Sequence, residues 1–267
     1  MKYKQKINIA IVGLGNIGSN LYKHLINNKQ SIIEKNNVDF EIKYVAAKSK
    51  NKKRKIKIPK NKWLNNYLDA SRLHDVDIVV ELIGGADGAA KKLVYNSLLN
   101  KKHVITANKS LISKYGDDLA LIAEKNKVNL EFEASVCGGV PIIRSLKEGL
   151  IANKISKIYG IFNGTSNYIL SSMDQEKKSF DEVLNKAKKL GYAERNPLSD
   201  LNGDDVASKL KILSSLCFSS FLNDKIYVEG INDVDKTDID NANKLGYKIK
   251  LLGFAELLNN KIYQRVH

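Results

Sequence analysis

Apolar residues first gather at Ile7, Ile9, Ala10, Ile11 and Val12, broken only by Asn8 and ended by Gly13. A run this short with a glycine stop predicts a buried strand over residues 7–12. Similar runs predict strands at 40–46, 77–83, 103–106 and 129–133. The second of these closes on Gly84-Gly85. Helical spacing marks 16–27, 86–100 and 116–126, and residues 48–60 read as a basic, polar loop. Apolar strands alternating with helices predict a parallel sheet covered on both faces.

The pattern changes after Pro141. Residues 143–150 read as a helix connecting two domains, 157–162 as a strand, and 163–167 as a polar turn. Helices follow at about 168–175, 179–190 and 204–219. In the last of these, Val206, Leu210, Leu213 and Cys217 recur at helical spacing and form a core stripe. A short strand is predicted at 228–231, a helix at 235–245 and a strand at 248–257. No internal repeat interrupts this order.

Composition sets wide bounds. The chain has 267 residues, enough for a sizeable core and two domains. Its net charge of +15 would suit a polyanion partner, but the lysines are spread along the whole chain and no nucleic-acid motif accompanies them. The excess is therefore assigned to composition, and no nucleic-acid partner is expected. Two cysteines, Cys137 and Cys217, are too few for a disulfide framework, and the four histidines show no ligand spacing. Cys217, in an apolar helical run, is expected to be a buried, reduced thiol. No stretch is long enough to cross a bilayer, and the first apolar run is too short for a signal peptide. A cytoplasmic protein is the expectation.

Gly13-Leu-Gly15-Asn16-Ile17-Gly18 follows the first predicted strand and opens the first predicted helix. In that context the spacing is a dinucleotide fingerprint. Gly13 permits the tight turn, Gly15 lets the backbone approach a pyrophosphate, and Gly18 allows close helix–strand packing. The helix N-terminus favours the anion. A strand serving NAD would end in Asp or Glu to take the ribose 2′-hydroxyl. The second strand ends instead in Ala46-Ala47-Lys48, which favours the extra phosphate of NADP, with Lys48 as the candidate ligand. Lys52, Lys53, Arg54 and Lys55 read as a solvated basic loop.

Thr106-Ala107-Asn108-Lys109 closes a strand at its carboxyl end, where open parallel sheets bind ligands. Lys109 there could orient a nicotinamide or a substrate, or stand in solvent. The bend at 133–141 combines Glu133 with Gly138 and Gly139, so it could hold a hard cation or serve only as a hinge. Residues 190–209 gather Glu194, Asp200, Asp205 and Lys209. Asp205 and Lys209 are four apart and share a helical face.

Together these segments resemble homoserine dehydrogenase. The likeness rests on Gly13–Gly18, Val80-Glu-Leu-Ile-Gly-Gly85, Val104-Ile-Thr-Ala-Asn-Lys109, the Glu133 to Ile143 bend, Asn163-Gly-Thr-Ser-Asn-Tyr-Ile-Leu170 and Leu190-Gly-Tyr-Ala-Glu194 through Lys209. The resemblance implies an α/β protein. Residues 1–143 would be a Rossmann-type parallel-sheet nucleotide domain, and 144–267 an α+β substrate-binding and dimerisation domain. It implies reversible, NAD(P)-dependent interconversion of L-homoserine and L-aspartate 4-semialdehyde, in the biosynthesis of threonine, methionine and isoleucine. It also implies a homodimer or higher homo-oligomer, with no membrane partner.

By the same resemblance Lys209 is the acid–base residue at the reacting oxygen. Glu194 and Asp205 hold the substrate, and Asp200 supports the site. Lys109 contacts cofactor and substrate, and Gly191 lies near the cofactor. Gly13, Gly15, Asn16, Ile17, Gly18 and Lys48 bind the rest of NADP, or of NAD. Glu133 and the carbonyls of Val136, Gly138 and Val140 match the family's sodium site.

The chemistry agrees. Hydride transfer to an aldehyde leaves negative charge on oxygen, which a nearby ammonium both stabilises and protonates. The substrate's own ammonium calls for carboxylates. A carboxylate beside the lysine keeps it charged.

Asn196 and Ser199 stand where family members often carry Asp, which weakens the loop's negative field. The chain also stops within the family's substrate domain, so it reads as truncated. An unpaired sheet edge, poor solubility and partial disorder near the C-terminus are expected. Two other readings remain open: a two-domain oxidoreductase acting on a sugar or polyol, and a non-catalytic NADP-binding fragment.

Overall fold

The computed structural model describes residues 5–218 and 225–267. The chain divides into two units, Met1–Gly138 and Gly139–His267, a few residues before the boundary expected after 143.

The first unit runs β1 (Gln5–Val12), α1 (Asn16–Asn27), α2 (Lys29–Asn36), β2 (Val38–Ala46), β3 (Ile78–Glu81), α3 (Ala89–Leu99), β4 (His103–Thr106), α4 (Lys109–Asn126) and β5 (Leu130–Glu131). Its strands pair in parallel in the order β2-β1-β3-β4-β5. Successive residues of β1 point to opposite faces. Ile9 and Ile11 pack with Tyr22 of α1, while Ala10 and Val12 pack with Leu93 of α3. Both faces are therefore covered, as the apolar strands predict. This order puts the topological switch point between β1 and β3, at whose carboxyl ends open sheets take ligands.

Three details depart from the sequence reading. α2 was not anticipated, because it buries only Ile33 and shows no apolar stripe. α4 begins at Lys109 rather than 116, since the Asn108 side chain caps it by accepting from Leu111 N–H. β5 is two residues long, because the chain turns at Phe132 into a 3-10 turn over Glu133–Ser135.

The second unit runs α5 (Ile142–Arg144), β6 (Lys157–Gly160), α6 (Gly164–Glu176), α7 (Phe180–Leu190), α8 (Leu198–Leu201), α9 (Asp204–Phe218), β7 (Tyr227–Val228), α10 (Lys236–Lys244), β8 (Gly253–Leu258) and β9 (Lys261–Val266). α5 widens directly into a π-helical turn over Ser145–Gly149, replacing the single helix expected at 143–150. The sheet order is β6-β8-β9-β7, with β8 antiparallel to β6 and β9 and β7 parallel to β9. Helices cover one face: Ile169, Leu170 and Met173 of α6, Val183 of α7, and Val206 and Leu210 of α9 pack with Ala255 and Val266.

The residues expected to form a polar turn at 163–167 are mostly the first turn of α6, capped by the Asn163 side chain, which accepts from Ser166 N–H. The strand expected at 248–257 starts only at Gly253. β9 pairs with β8 along its length and with β7 over its last two residues. Ser219, the predicted end of the last long helix, lies outside the described residues. Cys217 is half-buried rather than buried, and desolvation pushes its free thiol up to about 11. Among the described residues no helix is long and apolar enough to cross a membrane.

Candidate functional site

The glycine-rich turn joins β1 to α1 at the switch point. Gly13 has φ +105°, and a Cβ on it would lie 2.3 Å from the Leu82 backbone. A Cβ on Gly18 would lie 1.9 Å from the Gly13 carbonyl oxygen. A Cβ on Gly15 would meet nothing within 4 Å. The turn thus closes tightly behind and stands open in front. Gly15, Asn16 and Ile17 are all exposed there, Ile17 by 64% despite its apolar side chain. An open glycine before a helix N-terminus fits the pyrophosphate of a dinucleotide.

β2 ends at Ala46 without a carboxylate, and Lys48 is exposed just beyond it. Arg54 is not the solvated side chain the sequence reading makes it. Its guanidinium donates to the carbonyls of Leu14, Ser49, Lys50 and Lys52 and lies over the Trp63 ring. These partners are backbone groups and leave no trace in sequence. The only available signal is a single arginine in a loop otherwise made basic by lysine.

Lys109 opens α4 just past the carboxyl end of β4. The sequence reading gave no role to Glu81, which sets this corner. Its side chain is fully buried, and it accepts from Ile83 N–H (2.7 Å), Gly84 N–H (3.2 Å) and the Thr106 hydroxyl (2.6 Å). Thr106 Oγ1 in turn accepts from Asn108 N–H, and Asn108 Nδ2 donates to the Gly85 carbonyl. Carboxylate, hydroxyl and amide lock the ends of β3 and β4 together. A lone carboxylate ending an apolar strand was the signal for it.

The second constellation lies in an open cavity of about 740 Å³ in the second unit, lined by Asn163, Tyr168, Gly191, Glu194, Asp200, Asp205 and Lys209 among others. Lys209 Nζ donates to the Phe162 carbonyl (2.7 Å) and pairs with Asp205 Oδ2 (2.8 Å). Asp205 is 7% exposed and lies in the first turn of α9, where the helix dipole favours a negative charge. Asp200 lies on α8, and Glu194 is exposed in the loop after α7. Gly191 ends α7 in the left-handed conformation. Tyr168 and Tyr192 stack with centroids 4.5 Å apart. Asn163 donates to both Asp200 and Asp205, a link the sequence reading missed. Asparagine before a predicted helix start was its only signal.

The four residues of the cation set are divided between the units: Glu133, Val136 and Gly138 in the first, Val140 in the second. The Val140 carbonyl accepts from Ile142 N–H at 2.8 Å. Among the described residues no cluster of three or more His, Cys, Asp or Glu could hold a metal ion.

A doubly wound unit with a glycine-rich turn at its switch point is followed in the chain by a unit carrying a lysine–carboxylate cluster. The comparisons name the family. A model described as homoserine dehydrogenase, NAD binding domain, matches residues 13–133, and one described as homoserine dehydrogenase matches 141–267. A homoserine dehydrogenase of Neisseria gonorrhoeae is 42% identical, over 98% of this chain and 60% of that protein. One from Bacillus subtilis is 40% identical, over 96% of this chain and 59% of that protein. The crystal structure of a homoserine dehydrogenase from Thiobacillus denitrificans is similar with a TM-score of 0.90 at 39% identity, covering 99% of this chain and 62% of that one. The chain belongs to the homoserine dehydrogenase family. It spans about 60% of the length of the curated relatives it matches.

Proposed function

We propose that this chain carries the catalytic machinery for interconverting L-homoserine and L-aspartate 4-semialdehyde, with NADP preferred over NAD. The observation that carries the reading is the grip on Lys209. An ammonium held between a carboxylate and a carbonyl, over a cavity edged by further carboxylates, suits an amino-acid aldehyde.

The cofactor, when bound, supplies or accepts the hydride. The residues of the chain do the rest. Lys209 donates a proton to the aldehyde oxygen as negative charge develops there, and takes it back in the reverse direction. Asp205, paired with the ammonium at 2.8 Å, fixes its direction. Glu194 and Asp205 hold the substrate's ammonium, with Asp200 in support. The N-terminus of α6, at Gly164 and Thr165 in the same cavity, suits the substrate's carboxylate. Lys109 serves cofactor and substrate from the end of β4, and Gly191 borders the cofactor. The absence of a carboxylate at the end of β2, with Lys48 following, supports NADP.

A sodium ion on Glu133 and the carbonyls of Val136, Gly138 and Val140 belongs to the same proposal. These are donors a hard cation takes, and a carbonyl that accepts one N–H keeps a second lone pair. Its role is structural. Self-association through the open face of the second sheet also belongs here. Tyr159, Tyr227 and Tyr263 are exposed on its strands, and Arg265 lies 4.5 Å over the Phe254 ring. A cytoplasmic location completes the reading.

The test is homoserine-dependent reduction of NADP and NAD, with Lys209→Ala as control. Turnover that falls roughly 100- to 10,000-fold in the variant, with NADPH binding kept, is expected. Intact nucleotide binding without any homoserine-dependent turnover in the unaltered chain overturns the proposal.

A further inference from the structure

We infer that Asn163 is the positioning residue of the carboxylate–lysine cluster, holding Asp200 and Asp205 in place and fixing the oxygen against which Lys209 is aligned. The inference rests on the proposed function for what the cluster does, but not for how it is built.

Asn163 follows β6, caps α6 and is 5% exposed. Its Oδ1 accepts from Ser166 N–H at 2.8 Å and from the Ser166 hydroxyl at 3.0 Å. A main-chain N–H can only donate, so this contact settles which way the amide faces. The NH2 group is turned to the carboxylates. One N–H goes to Asp200 Oδ1 at 2.7 Å and the other to Asp205 Oδ2 at 2.9 Å. That same Asp205 oxygen receives Lys209 Nζ at 2.8 Å.

Two carboxylates drawn to one amide repel each other. The amide offsets this by giving each carboxylate a hydrogen-bond donor. Without it, Asp205 turns away from Lys209, which disturbs proton transfer at the reacting oxygen. The titratable groups around the amide are Asp200 on α8, Asp205 and Lys209 on α9, Glu194 and Tyr192 after α7, and Tyr168 on α6. Of these, only Asp200 and Asp205 bond to it directly. They are therefore the groups it positions.

Asn163→Asp is the decisive variant. It keeps the shape and the capping oxygen, so α6 keeps its start. It exchanges both donors for an acceptor. Asn163→Ser keeps a cap and removes the donors without adding charge. Both variants should lower kcat for homoserine oxidation by about tenfold or more, with KM for NADP changed less than about twofold. The acid limb of the kcat–pH profile should move up, further in Asn163→Asp, where a third carboxylate joins the pair.

A second measurement needs no turnover. The side-chain nitrogen-15 resonance of Lys209 in the free protein, assigned with Lys209→Ala, should move in both Asn163 variants, because the Asp205 oxygen it pairs with is no longer fixed. An unmoved resonance, or lost activity with an unmoved pH profile, overturns the inference. A moved resonance in a chain that turns over no homoserine would sink the proposed function and leave the role of Asn163 standing.

Discussion

The Nε–H of Arg54 donates to the carbonyl oxygen of Leu14 at 3.1 Å, tying the loop after β2 to the glycine-rich turn after β1. The remaining bonds run to Ser49 (2.7 Å), Lys50 (3.1 Å) and Lys52 (3.1 Å). In a trans peptide the C=O and the following N–H point in opposite directions. Four carbonyls turned toward the guanidinium therefore leave the N–H groups of Gly15, Lys50, Asn51 and Lys53 pointing away from it. The guanidinium thus braces the loop after β2 against the glycine-rich turn. Arg54→Met should weaken NADPH and NADH alike, by about tenfold, because the frame itself loosens. Lys48→Ala should weaken NADPH selectively. Fluorescence titration of both nucleotides separates the two effects; unchanged affinity in Arg54→Met would refute the buttress.

Gly15 and Gly18 do different work, and alanine tells them apart. At Gly18 the new Cβ meets the Gly13 carbonyl at 1.9 Å, and backbone cannot step aside cheaply. Gly18→Ala should destabilise the first unit by about 1–3 kcal/mol, the usual cost of overpacking. At Gly15 the Cβ meets nothing, and the backbone φ of −75° suits alanine. Gly15→Ala should melt like the unaltered protein yet bind NADPH at least about tenfold more weakly, because the methyl stands where the pyrophosphate approaches. Melting curves with and without NADPH decide it. Equal stability in the two variants would contradict the packing argument.

What could be read from sequence was what lies close in sequence. The glycine turn is a strand, six residues and a helix, all adjacent. Asp205 and Lys209 are one helical turn apart, and the pair forms as the spacing implies. Asn163 escaped because its carboxylate partners are 37 and 42 residues away, brought in only when α6, α8 and α9 pack. Arg54 escaped because backbone carbonyls have no side-chain signature. α2 escaped because a helix held by one buried isoleucine looks like a polar loop. The parallel sheet was legible because burial on both faces makes its strands continuously apolar. The second sheet, with only one face covered by helices, gave weaker signals and displaced ends, as at 248–257.

Glu81 offers a test of the lock between β3 and β4. Both of its oxygens accept, and Thr106 passes the chain on to Asn108 at the start of α4. Glu81→Gln keeps the shape but turns one oxygen into a donor. That donor must face either the N–H groups of Ile83 and Gly84 or a hydroxyl already engaged. A buried, mismatched polar group costs about 1–3 kcal/mol. The variant should lose that much stability in a urea melt, and NADP-dependent turnover should fall as Lys109 loses its fixed base. A fully stable variant would show that the network is dispensable.

Asp174 links three elements of the second unit and makes its stability depend on acid. Its Oδ2 takes Lys248 Nζ at 2.6 Å, and its Oδ1 takes Asn243 Nδ2 at 2.7 Å, so α6 is fastened to α10 and the segment after it. The Lys248 bond foremost, then that of Asn243, holds the carboxyl at about 2, below its ordinary 3.8. A carboxyl depressed on folding stabilises the native state above its unfolded value and loses that contribution as pH falls through the folded one. Asp174→Asn should therefore be less stable than the unaltered chain at neutral pH. The gap should narrow below 3.8 and close near 2. Urea melts at stepped pH measure it. A gap that stays constant down to the acid end would mean that the charge contributes nothing and that the fastening is one of shape alone.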